Sequence, residues 1–498
     1  MTRGRRRAAR VWVALRTALA RPPRAAYLCA LVGLFNALAW SVLVPPFEVP
    51  DEDAHYAYVQ QLVEAGSLPR YEPIYRGISP AEDQTLEVIH TFRIVGQPGN
   101  PAPLTSGDQQ LLLHVEHEGL SAKGTGNAGS ASDNPPLYYG VETIPFALSP
   151  SGTVLNRLAL MRAVSALFAG FTVFFVFMFL RELFPGTRWV WPFGALAVAF
   201  QPVFAFISGG VNNDSLLYAC AAALFFAIAW MFRRGLDERA GLAIGAALGL
   251  GLVAKFTLLG FAPGTALAIL FGVRRAWPAA RRAALRGAAV AAALAALPTL
   301  LYVALFRSTI TSGGISAPAV AFSGGHTSLR TEIAYIWQLF LPKLPWQISH
   351  FPRSELWHEW FIGLVGRYGW LDTSFPFWVY IVIGPIALLI LVAGVAGLAR
   401  EWRRVWRRSG DLLVYVAMIA GLCIEIGVES YNEFASTGGT FEQPRYLLSG
   451  LCVYAAVVAL VARLPGRRWG VAVGGLIVMA AFADNLFSQL LVVGRFYA

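Results

Sequence analysis

The chain repeatedly runs out of charge for the length of a membrane. Apolar stretches bounded by charged residues cover 26–44, 158–181, 189–207, 213–232, 240–255, 256–273, 287–306, 376–399, 411–431, 446–462 and 470–493. Most reach 18 residues, the length at which a helix can cross the hydrocarbon core of a bilayer. Lipid offers backbone N–H and C=O groups no water, so such runs must satisfy their hydrogen bonds within themselves, as helices do. Only 14% of the residues are charged, and 56% are hydrophobic; an ordinary soluble domain carries about 25% charged residues. The expectation is an all-α polytopic membrane protein, a bundle of about eleven transmembrane helices.

The net charge of +11 is not a nucleic-acid signature. Of 40 Lys and Arg residues, 26 fall in six short clusters within 1–25, 181–188, 233–239, 274–286, 400–408 and 463–468. Clusters of this kind mark cytoplasmic loops. Residues 45–157 carry 14 acids against 5 bases, so they are assigned to the opposite, outer face. The N-terminus is then inside and the C-terminus outside. Cys29, Cys220, Cys423 and Cys452 all lie in apolar runs, which argues against a disulfide framework. Residues 1–25 resemble the basic start of a signal peptide, with Ala37-Leu38-Ala39 as a candidate cleavage site. The following run of 19 residues is longer than a usual h-region, which favours an uncleaved anchor.

The chain divides on this reading into a basic cytoplasmic tail, 1–25; an N-terminal transmembrane module, 26–306, with an outer loop at 45–157; a second outer loop, 307–375, with interfacial helices; and C-terminal transmembrane helices, 376–498. The segment NPPLYYGVETIPFALSP, 134–150, is too short to span and is expected to be re-entrant or interfacial. The short runs 240–255 and 256–273 meet at Lys255.

Chemistry concentrates where the first apolar run ends, in VPPFEVPDEDAHYAYVQQLVEAG, 44–66. Two prolines turn the chain, and Asp51, Glu52, Asp53 and His55 open a helix-compatible run that ends at Gly66. Asp51 suits a helix N-cap, and acids suit the first turn. At helical spacing Asp51, His55, Val59 and Leu62 share one face. Three acids exceed what capping needs, so the cluster has three readings: a solvated helix start, a carboxylate base, or oxygen ligands for a divalent cation.

VPPFEVPDEDAHYAYVQQL resembles the start of a family of bacterial predicted membrane proteins with a PPFQxPDExxHF signature. That family is similar to the GT-C glycosyltransferases, which include protein mannosyltransferases and lipid A aminoarabinose transferases. NNDSLLYACAAALFF (212–226), GRYGWLDTSFPFWVY (366–380) and EQPRYLLSG (442–450) resemble further family stretches, the last two its FGWLDTxxP and QGRYxLP patterns. Asp53 stands where proline is expected, and EQPRY replaces QGRY. The resemblance implies a GT-C-like bundle and inverting sugar transfer from a polyprenyl-phosphate donor to a glycan or glycolipid hydroxyl, on the outer face of a bacterial cytoplasmic membrane. It places the general base on Asp51, with Glu52 second and Asp53 third.

A lipid-borne phosphate would need cations at the outer ends of the spans. Lys255, in KFT, and Arg445, beside Tyr446, fit that position, Arg by its planar fork. The bland alternatives are a snorkelling lysine and an Arg445 paired with Glu442 or Glu433. His350, Arg353 and Arg367 are further candidates for the phosphate. Asn212, Asn213, Asp214, Asp53 and His55 are candidates for orienting substrate or base, with capping as the alternative for 212–214. The aromatic residues of 307–375 suit sugar stacking or an interfacial belt. Two other functions compete: a lipid-linked sugar flippase or transporter, and a non-catalytic subunit of an envelope polysaccharide assembly.

Overall fold

A computed structural model describes residues 22–70, 77–124, 126–277, 279–306, 329–439 and 442–498. Most of the basic tail and the start of the second long loop, 307–328, lie outside the described residues. Among the described residues nine helical segments are long and apolar enough to cross a membrane: Arg24–Leu43, Val154–Leu183, Asp214–Arg234, Phe256–Ala276, Arg281–Leu305, Phe377–Arg400, Ser409–Thr437, Pro444–Arg463 and Gly466–Phe496. A tenth pass is a pair of helical pieces, Arg188–Ala199 and Pro202–Ser208, bent by 61° where Pro202 interrupts the hydrogen-bond ladder. Glu238–Ala254, the apolar run that ends at Lys255, has 17 residues and is only about 25 Å long, shorter than these spans. Hydrogen bonds and ion pairs bring 44–52, 209–214, Lys255 and Arg445 together at one place.

The short helix is held by close approach rather than by length. Gly241, Gly245 and Gly249 recur every fourth residue and face Gly287, Ala291 and Leu294 of Arg281–Leu305, where any added Cβ would strike neighbouring backbone. Small residues at this spacing let two helices in lipid pack backbone to backbone. Helix Arg24–Leu43 is tied to the last helix by polar contacts inside the bundle: Asn36 Nδ2 donates to Asn485 Oδ1 at 3.1 Å and Trp40 Nε1 donates to the same oxygen at 2.9 Å.

The segment 134–150 forms a 12-residue helix, Leu137–Leu148. It packs against Glu52–Ala65 and Val154–Leu183 and is too short to span. With the chain between them these pieces build a second core beside the bundle, centred on Phe47, Tyr56, Tyr58, Val59, Tyr138, Tyr139 and Phe146. Tyr58 and Tyr139 stack there at 3.6 Å. Small strands Arg367–Tyr368 and Thr373–Ser374 pair antiparallel, Arg367 opposite Ser374 and Tyr368 opposite Thr373. This hairpin holds Trp370 at its tip, next to Gly369, whose φ of +60° puts it in the left-handed region.

Candidate functional site

The turn 45–52 is the point at which the four motif stretches meet. Its backbone carbonyls are claimed by side chains from the other three. Pro50 O accepts from Asn212 Nδ2 at 3.2 Å and from Arg445 Nη1 at 3.2 Å. Phe47 O accepts from Trp370 Nε1 at 3.3 Å. Gly210 lets the 209–214 turn lie directly on Val49; a Cβ there would sit 2.5 Å from a Val49 methyl. Motifs hundreds of residues apart are thus parts of one packed unit.

Glu52 locks this unit. Its side chain has no exposed surface, and its two oxygens receive four donors: Arg162 Nε at 2.7 Å, Arg162 Nη2 at 2.5 Å, Phe47 N at 2.9 Å and Val211 N at 2.8 Å. Arg162 also donates to Val44 O and Pro45 O. A bidentate, desolvated pair of this kind fixes geometry. It leaves Glu52 no route to a substrate proton, which corrects its assignment as the second candidate base. The charge of Asp53 is felt at the buried Glu82, whose carboxyl burial pushes up and Asp53 pushes further.

Asp51 behaves differently from a capping residue. It sits at the N-cap position but in the left-handed conformation, φ 62° and ψ 15°, and its side chain makes no capping hydrogen bond. Asp is one of the few side chains that tolerates this region. The twist releases the carboxylate from the helix start and turns it to Arg445, whose Nη2 lies 2.5 Å from Asp51 Oδ2. Ser130 Oγ donates to Oδ1 at 3.3 Å. A quarter of the Asp51 side chain remains exposed, whereas Arg445 is 5% exposed. Burial raises the Asp51 carboxyl, but the Arg445 guanidinium outweighs it, with help from Lys255, and holds the pKa below the ordinary carboxylate value.

Arg445 continues to a second acid. Its Nε lies 3.5 Å from Asp214 Oδ2, while Lys255 Nζ grips Asp214 Oδ1 at 2.7 Å. Two acids and two cations therefore alternate as Asp51, Arg445, Asp214, Lys255. Lys255 and Arg445 both face the Tyr446 ring, at 5.2 and 5.5 Å. Lys255 is not a free, snorkelling residue, and Arg445 does not pair with Glu442, whose carboxylate accepts from Tyr335 and Ser430. Asp214 belongs to the ion-pair chain itself. Asn212 Oδ1 caps the Asp214 N–H at 2.9 Å, and Asn213 Nδ2 reaches Asn134 and Ala254 O; both act as braces of the turn.

His55 lies one turn beyond Asp51, buried, with Nδ1 at 2.8 Å from Tyr139 Oη. Burial drives its pKa down to about 3, so at neutral pH it is an uncharged wall. His350, Arg353 and Arg367 do not join the Asp51 group. His350 makes its backbone hydrogen bond to Gln338. Arg367 pairs with Glu359 at 2.7 Å and with His358, whose Nε2 faces Arg353 at 2.8 Å. Among the described residues no hydrogen bond or ion pair links these three side chains to Asp51, Lys255 or Arg445. Among the described residues no three His, Cys, Asp or Glu side chains converge as a metal-ligand set, and the Arg445 guanidinium already occupies the space between Asp51 and Asp214.

Sequence reasoning missed Arg162, Tyr139, Ser130 and Glu429, which shares a side-chain hydrogen bond with Glu425 close enough to Lys255 to feel its charge. Arg162 gave a signal: an arginine inside an apolar run is costly and demands a partner. Tyr139 and Ser130 gave none, since they reach the site only through tertiary packing.

Residues 34–453 match the family described as Predicted membrane protein (DUF2142). The chain belongs to this family. The match contains the complete turn, the four motif stretches, and Asp51, Asp214, Lys255 and Arg445, so the DUF2142 match encloses the whole candidate site. Among solved structures the chain is similar to ArnT from Cupriavidus metallidurans bound to undecaprenyl phosphate, with 13% identity, 98% of this chain and 78% of that chain covered, and a TM-score of 0.48. It is also similar to the archaeal oligosaccharyltransferase AglB from Archaeoglobus fulgidus in complex with an inhibitory peptide and a dolichol-phosphate, with 12% identity, 95% and 56% covered, and a TM-score of 0.48. The chain thus spans little more than half of that oligosaccharyltransferase. No curated protein matches the chain.

Proposed function

We propose that the chain is an integral membrane glycosyltransferase of the bacterial cytoplasmic membrane. It moves a sugar from a polyprenyl-phosphate donor to a cell-envelope hydroxyl on the outer face, with inversion and with Asp51 as general base. The observation that supports this most is the Asp51–Arg445 pair: a partly exposed carboxylate, twisted out of its helix, against a guanidinium that also belongs to a second ion pair with Asp214. A purely structural salt bridge has no need of a left-handed residue or of residual exposure.

The reaction needs little more than this. The acceptor oxygen gives its proton to Asp51 as it attacks the anomeric carbon, and the bond from that carbon to the phosphate oxygen breaks. The leaving phosphate keeps the electron pair and needs no proton. Arg445 and Lys255 stabilise the charge that grows on it. The pairing also sets the base's timing. In the resting protein Arg445 holds the Asp51 carboxyl ionised but weakly basic. A donor phosphate competes for the guanidinium, and as Arg445 turns to it Asp51 becomes the stronger base it must be.

The test is transfer by the purified single chain in vesicles supplied with polyprenyl-phosphate sugars and envelope glycan acceptors. Donor-dependent glycosylation supports the reading. Lipid-linked sugar crossing the bilayer with no transfer would point to a flippase, and activity that appears only with a second chain would point to a positioning subunit.

A further inference from the structure

We propose that the opposite end of the bundle carries a binding site for the phosphate headgroup of an anionic phospholipid. The site is independent of the function proposed above. A cavity of about 840 Å³ lies where Phe377–Arg400 and Leu451–Arg463 end, lined by Arg400, Arg403, Arg463, Glu401, Leu460 and Leu464 among others. It is separated from Asp51 by the full length of Pro444–Arg463, which begins beside Arg445 and finishes at Arg463. Its size is that of a small-molecule site.

Charge selects the ligand. Three arginines face one acid, and that acid is engaged: Arg463 Nη2 holds Glu401 Oε1 at 2.8 Å. Among the described residues no carboxylate pairs with Arg400 or Arg403, and both are exposed. Guanidinium groups unmatched by acids recruit phosphate oxygens, which they meet two hydrogen bonds at a time. A basic pocket between transmembrane helices is the chemistry that captures anionic headgroups.

The surroundings select a lipid over a soluble anion. Leu460 and Leu464 give the cavity an apolar wall. The adjoining helix turns Val395 and Leu398 outward, 60% and 41% exposed, so its last turns face the lipid chains. Trp402 and Trp406 lie next in the chain, 57% and 64% exposed, with rings 5.0 Å apart. Exposed tryptophans at a span end settle at headgroup level. An occupant with a phosphate and an apolar tail satisfies all of these surfaces at once.

The test uses the full chain in neutral detergent, with binding read by native mass spectrometry and by thermal melting. Phosphatidylglycerol is compared with phosphatidylcholine and with inorganic phosphate. The expected result is binding and a raised Tm with phosphatidylglycerol only. With each surface arginine contributing about fivefold, the double variant R400Q/R403Q should weaken that binding roughly thirtyfold. Glu401→Gln removes the one acid and frees Arg463, so it should tighten binding. Arg286→Gln, at an exposed pair outside the cavity, should leave it unchanged. If the double variant melts below the wild type without lipid, Glu401→Gln decides alone: tighter binding supports the site, and equal or weaker binding overturns it. Equal binding of the two lipids, full binding by a folded double variant, or equal effectiveness of inorganic phosphate also overturns it.

Discussion

The Arg445 guanidinium touches Asp51 with one nitrogen at 2.5 Å and faces Asp214 with another at 3.5 Å, joining residues from three distant parts of the chain. The longer contact is beyond a hydrogen bond, and Arg445 Nε and Asp214 Oδ2 are both buried without a hydrogen-bond partner. Buried polar atoms left without a hydrogen bond are costly, so this contact is less firmly held than the one to Asp51.

Asp51→Asn keeps the shape of the side chain and removes its proton affinity. Sugar transfer should fall by about 10²–10⁴-fold, the usual contribution of a general base. Expression and membrane insertion should persist with a modest fall in melting temperature, because Arg445 loses its closest carboxylate but keeps Asp214, and the fold stays locked through Glu52. Near wild-type turnover in a folded D51N protein removes Asp51 as the base.

The same pair sets a pH dependence. Asp51 is held below the ordinary carboxylate value by Arg445, so transfer should persist as the medium is acidified and be lost only when Asp51 takes a proton. Arg445→Gln removes the guanidinium and leaves burial opposed only by the weaker pulls of His55 and Lys255, so the acid limb of the rate profile should move to higher pH. A limb that does not move in the variant places the titrating group elsewhere.

Glu52 and Arg162 should matter for stability rather than chemistry. Removing one partner strands a buried charge, so Arg162→Met should cost about 3–5 kcal/mol, while a double replacement by apolar residues should recover part of the loss. Thermal melts of the singles and the double in one detergent decide this. Equal losses in R162M and in the double variant would show that the backbone bonds from Arg162, not the pair, carry the stability.

The spans were legible because a bilayer demands long uncharged helices, and the order of the passes follows the sequence reading down to the short run before Lys255. Asp51, Lys255 and Arg445 were legible as well, since charges at span ends are few. The pairing was not. Nothing in EQPRY says that Arg445 prefers Asp51 to the nearby Glu442, because that choice is made by the packing of Pro50, Asn212 and Gly210. The acids of PDEDAH look equivalent in sequence, yet one left-handed residue sends Asp51 to the arginine and Glu52 into the Arg162 clamp. Arg353 and Arg367 show why a loop cation is hard to read: one satisfied by its own neighbours is indistinguishable, as a letter, from one awaiting a ligand.

Gly210 tests whether the interlocked turns position the site. A Cβ there falls 2.5 Å from a Val49 methyl, and overpacking of this sort costs about 1–3 kcal/mol. Gly210→Ala should lower transfer by displacing Pro50 and Asp51, and Val49→Ala in the same chain should restore part of it. Rescue of the rate in the double variant is the decisive reading; a rate unaffected by G210A would show that the turn can shift without disturbing Asp51.

His55 supplies a signature that does not require a substrate. Its pKa in the folded protein is about 3, through burial, whereas an unfolded histidine titrates near 6.5. As pH falls below about 6.5 the unfolded chain takes up a proton that the folded chain refuses, so His55's contribution favours folding above that pH and is lost progressively down to about 3. Asp51, depressed by Arg445, loses its stabilisation in the acid part of the same range, and Asp51 and His55 feel each other's charge. The difference between wild type and His55→Gln therefore reports the histidine together with its coupling to Asp51. Gln can still meet Tyr139 Oη but does not titrate, so the wild-type melting temperature should drop more steeply than that of H55Q between pH 7 and 4. Parallel curves would mean that His55 takes up its proton as readily folded as unfolded, and that the wall beside Asp51 is open to water.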